Sequence, residues 1–168
     1  MTRAYVPLNL SGLQRLQDAG MLAPDAAYAV TPALRELHAE AGIIAEEDLE
    51  YVAMMIAARV SLTLLDLQDP ADRRRIVLAV DAATVPDAAT VPGAGHPARV
   101  VIDGAVPLAR VASVHVDTDD VRPAVEFAVQ ELSAAADRDS EAVERVEALD
   151  AEDLAWFAVQ EIPDVLGG

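Results

Sequence analysis

Residues 46–66 read EEDLEYVAMMIAARVSLTLLD. Between Glu50 and Asp66 this stretch carries one charge, Arg59, among Tyr51, Val52, Met54, Met55, Ile56, Val60, Leu62, Leu64, Leu65 and small residues. A helix that apolar on nearly every face is one that the rest of a domain packs around. Glu46, Glu47 and Asp48 suit the positive end of a helix dipole, and Pro70 prevents continuation much beyond residue 67. At helical spacing Asp48, Tyr51, Met55, Arg59, Leu62 and Asp66 share a stripe, which places Arg59 in the least apolar sector. A buried Arg59 needs a carboxylate, because an unpaired interior charge costs several kcal/mol. Glu161, Asp164 and the acids around Asp117 are the expected partners. The functional alternative is a ligand-binding Arg59 in a pocket lined by Tyr51 and Trp156.

Working outward, residues 3–8 (RAYVPL) predict a strand, with Pro7 at an edge or at the strand end. Asn9 or Ser11 caps a helix that carries Leu13 and Leu16 and stops at Gly20. Residues 27–30 (AYAV) predict a short strand. Thr31-Pro32 then opens a helix, with a hydroxyl at the N-cap and proline at the first helical position. Beyond the central helix, IVLAV at 76–80 is a continuous apolar run flanked by charge, the pattern of a buried inner strand. Residues 99–103 and 111–116 predict two more strands. From Asp117 the chain turns helical, with Asp117 or Thr118 as cap and Val121, Val125, Ala128 and Leu132 on one face. Residues 140–149 fit a helix or a short strand. Asp150 is the expected cap of a last helix, AEDLAWFAVQEI at 151–162. Residues 81–97 contain DAATVP twice in tandem, then GAGHP, and are expected to form a flexible surface loop.

The last predicted helix echoes the central one. Glu47-Asp48-Leu49, Tyr51 and Ala53 match Glu152-Asp153-Leu154, Trp156 and Ala158 at an offset of 105 residues. A weaker echo aligns Val6, Leu8, Asn9, Ser11 and Leu13 with Val114, Val116, Asp117, Asp119 and Val121 at an offset of 108. A true repeat would give the fold pseudo-twofold symmetry. The fold class expected is α/β or α+β: a single domain over 1–168, with one mixed sheet of four to five strands and about five flanking helices.

Composition bounds the function. The chain has 168 residues, 53% hydrophobic content and a net charge of −17, the profile of a globular protein and not a disordered one. Residues 111–168 hold 3 Arg against 15 acids, so the charge is concentrated there. Such a surface repels phosphate backbones, which argues against nucleic acid, and favours a basic partner. No apolar run reaches the roughly 20 residues of a membrane span, and the N-terminal residues lack a signal-peptide core. With no cysteine, neither disulfides nor thiolate metal sites arise. The expected location is the cytoplasm. Lysine is absent, which fits a GC-rich coding bias.

The runs YVP, AYAVTPALRE, EEDLEYVAMMIAARVSL, VPLARVASVHVD and DLAWFAVQEIPDVL together resemble a family of small actinobacterial proteins of unknown function. That resemblance spans nearly the whole chain apart from 81–97 and implies no activity, cofactor or catalytic residue.

Dinucleotide, P-loop and nucleophile-elbow motifs are absent. The candidate for chemistry is the cluster His115, Asp117 and Asp119 at a strand end, where one imidazole and nearby carboxylates suit a divalent metal. The structural alternative has Asp117 or Thr118 capping the next helix and Asp119 and Asp120 complementing its dipole. Arg73-Arg74-Arg75 suits an anion, or else offsets the local acids Asp69 and Asp72. The reading that follows is a non-catalytic binding or regulatory protein without a cofactor, acting through an acidic surface on a protein partner or as a homodimer. Its alternative is a small metal-dependent or acid–base enzyme centred on His115, Asp117 and Asp119.

Overall fold

The computed structural model describes residues 1–66, 68–86 and 96–167. Its centre is a pair of antiparallel strands, β1 (Thr2–Leu8) and β4 (Ile76–Ala82), in register from Thr2 opposite Ala82 to Leu8 opposite Ile76. On one side follow β3 (Ala27–Ala29), β6 (Arg99–Ile102) and the edge strand β5 (Thr84–Pro86). On the other come β8 (Val111–Val116) and the edge strand β9 (Ala155–Phe157). All six neighbouring pairs are antiparallel. The short strands β2 (Met21–Leu22) and β7 (Val106–Pro107) pair separately.

Both faces of the central strands are covered, which is why 76–80 is apolar without alternation. One face presents Tyr5, Tyr28, Val77 and Ala79 to α3 (Glu46–Leu62), which buries Leu49, Ala53, Ala57 and Ala58 against them. The opposite face presents Val6, Ile76, Leu78, Val80, Val114 and Val116. It packs against Leu13 and Leu16 of α1 (Leu10–Ala19) and Ile162 and Val165 of α6 (Ile162–Gly167). A third apolar cluster joins Leu62 and Leu65 to α4 (Arg122–Ala136) and α5 (Ser140–Ala148) through Val121, Val125, Val129 and Val146.

Local chemistry sets the boundaries the sequence predicts. Asn9 accepts the Gly12 N–H at the start of α1, and Gly20 ends it in the left-handed region at φ 71°. Thr31 accepts the Leu34 N–H at the start of α2 (Pro32–Ala39), with Pro32 at the first helical position. Ser61 fixes α3 to the sheet. Its fully buried hydroxyl donates to the Leu8 carbonyl (2.5 Å) and accepts the Ile76 N–H (2.9 Å), at the register pair where β1 ends and β4 begins.

The structure departs from the expectation in five places. Among the described residues the main sheet has seven strands and is antiparallel, where four or five strands in a mixed sheet were expected; β5 and β9 are three-residue edges too short to announce themselves. Residues 155–157 are a strand, not the middle of a helix, because the outer edge of β8 offers unpaired backbone groups that Ala155–Phe157 satisfies. The echo at 105 residues therefore joins unlike structures, with Tyr51 on a helix and Trp156 on a strand. Only the strand-then-helix order at the 108-residue offset recurs, with β1 and β8 flanking β4. The central helix ends at Leu62, not Asp66. Of the expected 81–97 loop, residues 81–82 belong to β4 and 84–86 to β5, while 87–95, with nearly all of the second DAATVP, lie outside the described residues.

Candidate functional site

The apolar excess of α3 exceeds what burial against the sheet consumes. Val52, Ile56 and Val60 recur one turn apart and are only half-buried. With Met55 they form one wall of a groove of about 470 Å³, and Tyr28 and His96 form the other. Tyr51, Arg59 and Asp150 complete its lining. That volume lies within the range of about 300–1,000 Å³ usual for binding pockets, and a mostly apolar lining with few polar groups is their usual composition. The Tyr28 ring meets the His96 ring edge-on, with centroids 6.2 Å apart. Burial holds the His96 imidazole below its ordinary pKa, with nearby His38 adding to the shift.

The polar end of the groove is assembled from distant segments. Arg59 pairs with Asp150 (Nη2–Oδ2 2.5 Å, Nε–Oδ1 3.3 Å) and is about a third exposed. The Tyr51 hydroxyl donates to Asp153 at 2.7 Å, which holds its pKa above the ordinary value. Beneath them lies Arg75, side chain 1% exposed, paired with a fully buried Asp117. The Arg75 Nη2 donates to Oδ1 at 2.8 Å, Nε to Oδ2 at 3.0 Å, and the Arg75 backbone N–H to Oδ2 at 2.7 Å. The remaining guanidinium donors reach the Leu149 and Glu152 carbonyls, each at 3.0 Å. Residues 149–154, the strap from α5 to β9, are thus tied down by Arg59, Tyr51 and Arg75 together.

Arg59 and Tyr51 therefore do share a pocket, but the partner of Arg59 is Asp150, not Glu161, Asp164 or Asp117, and Asp150 pairs instead of capping a helix. Trp156 does not line the groove. It sits on β9 opposite His115, 61% exposed. The His115, Asp117 and Asp119 set does not converge. His115 lies on β8 and Asp117 is the residue just past its end, where it sits beside Arg75 and is consumed by it. It does not cap the next helix, and neither does the Thr118 side chain. The His115 ring shares a 3.0 Å hydrogen bond with Ser113, and burial holds its pKa low. Asp119 is exposed and pairs with Arg122 at 2.9 Å. Among the described residues no three His, Asp or Glu side chains are placed to share a metal ion.

The three consecutive arginines go three ways instead of offsetting Asp69 and Asp72. Arg73 binds both oxygens of Glu126 (2.8 and 2.9 Å), Arg75 takes Asp117, and Arg74 turns to the opposite face of the sheet. The residues that sequence reasoning missed are Val52, Ile56, Val60, Tyr28, His96 and Asp150. The signal for the first three was present, since a helix apolar all round has more apolar surface than one sheet face can cover.

Fold and site together define an antiparallel α+β protein with an apolar groove along its central helix. The chain belongs to a family of unknown function, DUF6912, matched over residues 2–166. No curated protein and no solved structure matches the chain.

Proposed function

We propose that this is a non-catalytic binding protein whose α3 groove receives a basic, amphipathic helix of a partner protein. The observation that carries the reading is the half-exposed stripe Val52, Ile56 and Val60 on a helix whose opposite side is buried against the sheet. An apolar helix face laid on such a stripe completes its burial, which contributes on the order of 1 kcal/mol per side chain. Charge favours a basic partner. The chain carries −17, Asp150 lines the groove, and exposed Asp48 stands one turn before Val52 on the same helix face. The same acidity opposes nucleic acid as the partner. Among the described residues no helix is long and apolar enough to cross a membrane. The cysteine-free composition supports a cytoplasmic setting, and the all-arginine basic set supports a GC-rich, actinobacterial source.

The test uses a labelled peptide of about five helical turns, leucine on one face and lysine on the other, followed by anisotropy. The protein binds it saturably, and the charge-neutral variant Ile56→Gln/Val60→Gln binds at least tenfold more weakly at the same salt. Equal binding by that variant means the contact is electrostatic attraction alone and ends the groove proposal. Sedimentation showing a homodimer that the same variant dissociates would replace the partner helix with a second copy of the chain.

A further inference from the structure

On the face of the sheet opposite the groove, Arg74 presents an unsolved charge. The residue is only 7% exposed, yet its guanidinium has no carboxylate partner among the described residues. One nitrogen donates to the Val165 carbonyl at 3.0 Å, and the buried Nε has no hydrogen-bond partner. Burial, and then nearby Arg122, holds this guanidinium below its ordinary pKa against the opposing pull of Asp119, Asp72 and Asp117. The surrounding acids act on it only at a distance, so a buried guanidinium with an unmet donor keeps the capacity to bind an anionic group directly.

Arg74 lines a cavity of about 380 Å³ with Val116, Asp117, Thr118, Asp119, Phe157, Glu161, Asp164 and Val165, the Asp117 carboxylate being already paired with Arg75. Three features meet there. Thr118 stands at the N-terminus of the helical run 119–136 with its hydroxyl making no cap bond, so the positive end of that run points toward the cavity wall. Glu161 spends one oxygen on the Ala158 N–H, and Asp164 is exposed, so carboxylate capacity remains on the other side. Val116, Phe157 and Val165 supply an apolar patch between them. A purely anionic ligand such as phosphate would meet Glu161, Asp164 and Asp119 as repulsion.

We infer that this cavity is a binding site for a zwitterionic α-amino acid with an apolar side chain. Its carboxylate meets Arg74 and the Thr118 hydroxyl, its ammonium meets Asp164 and Glu161, and its side chain lies on Phe157. The site is separate from the α3 groove and does not depend on it.

Titration calorimetry of the whole protein with L-phenylalanine and L-leucine tests this. Phenethylamine, which lacks the carboxylate, and 3-phenylpropionate, which lacks the ammonium, serve as controls. L-Phenylalanine or L-leucine binds saturably, and both truncated analogues bind at least tenfold more weakly than L-phenylalanine. Thr118→Val and Asp164→Asn, both at exposed positions where folding is safe, weaken amino-acid binding. Asp164→Asn does not weaken 3-phenylpropionate, which has no ammonium to lose and meets one repelling carboxylate fewer. Absence of saturable binding by either amino acid overturns the inference, as does equal binding of an analogue or an unchanged affinity in Asp164→Asn. Loss of amino-acid binding in Ile56→Gln would place the ligand in the α3 groove and overturn it as well.

Discussion

Replacing Asp117 by Asn removes the counter-charge of a guanidinium that has almost no access to water. The Asp117 carboxylate accepts from the Arg75 backbone N–H and from two of its side-chain nitrogens, and the two side chains are 0% and 1% exposed. Breaking such a pair from one side costs about 3–5 kcal/mol, because the remaining charge stays buried. That is a large part of the roughly 5–15 kcal/mol that holds a typical domain. Arg75→Met costs a similar amount and also strips the donors from the Leu149 and Glu152 carbonyls. If the pair acts as a unit, Arg75→Met/Asp117→Asn costs little more than either single change. Two independent losses would instead sum to about 6–10 kcal/mol, so the cycle should show a coupling of about 3 kcal/mol or more. Urea unfolding followed by circular dichroism gives the three free energies. Trp156, the only tryptophan and on β9 just past the strap, reports loosening of residues 149–154 by its fluorescence before global unfolding. Additive costs, or an Asp117→Asn loss below about 1 kcal/mol, would refute the reasoning that Arg75 anchors the strap.

Other contacts carry their own expected outcomes. Ser61→Ala leaves the Leu8 carbonyl and the Ile76 N–H without their shared partner and should cost about 1–3 kcal/mol by urea unfolding; a neutral result would mean Ser61 does not fix α3 to the sheet. His96 and His115 both have folded-state pKa values pushed down by burial. The unfolded chain therefore binds more protons as pH falls below about 6.5, and stability drops from there toward their folded values. The melting temperature should decline between about pH 7 and pH 5.5, and His96→Gln/His115→Gln should flatten that decline. An unchanged slope in the double variant would show that these two rings do not control it. Glu126 is held below its ordinary pKa chiefly by its hydrogen bond to Arg73, so its contribution is present above about pH 4.5 and lost below it; Glu126→Gln should remove that lower step and leave the histidine step in place.

What the sequence made legible was mostly local. The Asn9 cap, the Gly20 stop, the Thr31-Pro32 start and the apolar run at 76–80 each depend on a few adjacent residues, and each stands where it was read. Residues 151–162 failed because their pattern fits an amphipathic helix as well as a strand, and the deciding fact is the free edge of β8, set far away in the chain. The arginines failed for a related reason. Arg59 drew attention as the lone charge in an apolar helix, yet it reaches Asp150 at the surface. The fully buried arginine is Arg75, which looked like one of three charges flanking a strand. Cross-strand register, with Ile76 opposite Val116, puts Arg75 beside Asp117, and no local spacing displays that. The groove was half visible. Its wall on α3 is the apolar excess of residues 52–60, while its other wall, Tyr28 and His96, comes from the sheet and from the segment before β6.

The central claim is that the half-exposed stripe of α3 is a recognition surface. The direct measurement is the affinity of the leucine/lysine helix for the wild type and for Ile56→Gln/Val60→Gln at one salt concentration, with a leucine/glutamate peptide as control. The account predicts saturable binding of the basic peptide, at least a tenfold loss in the variant, and no binding of the acidic peptide. Equal affinity of wild type and variant for the basic peptide would contradict it.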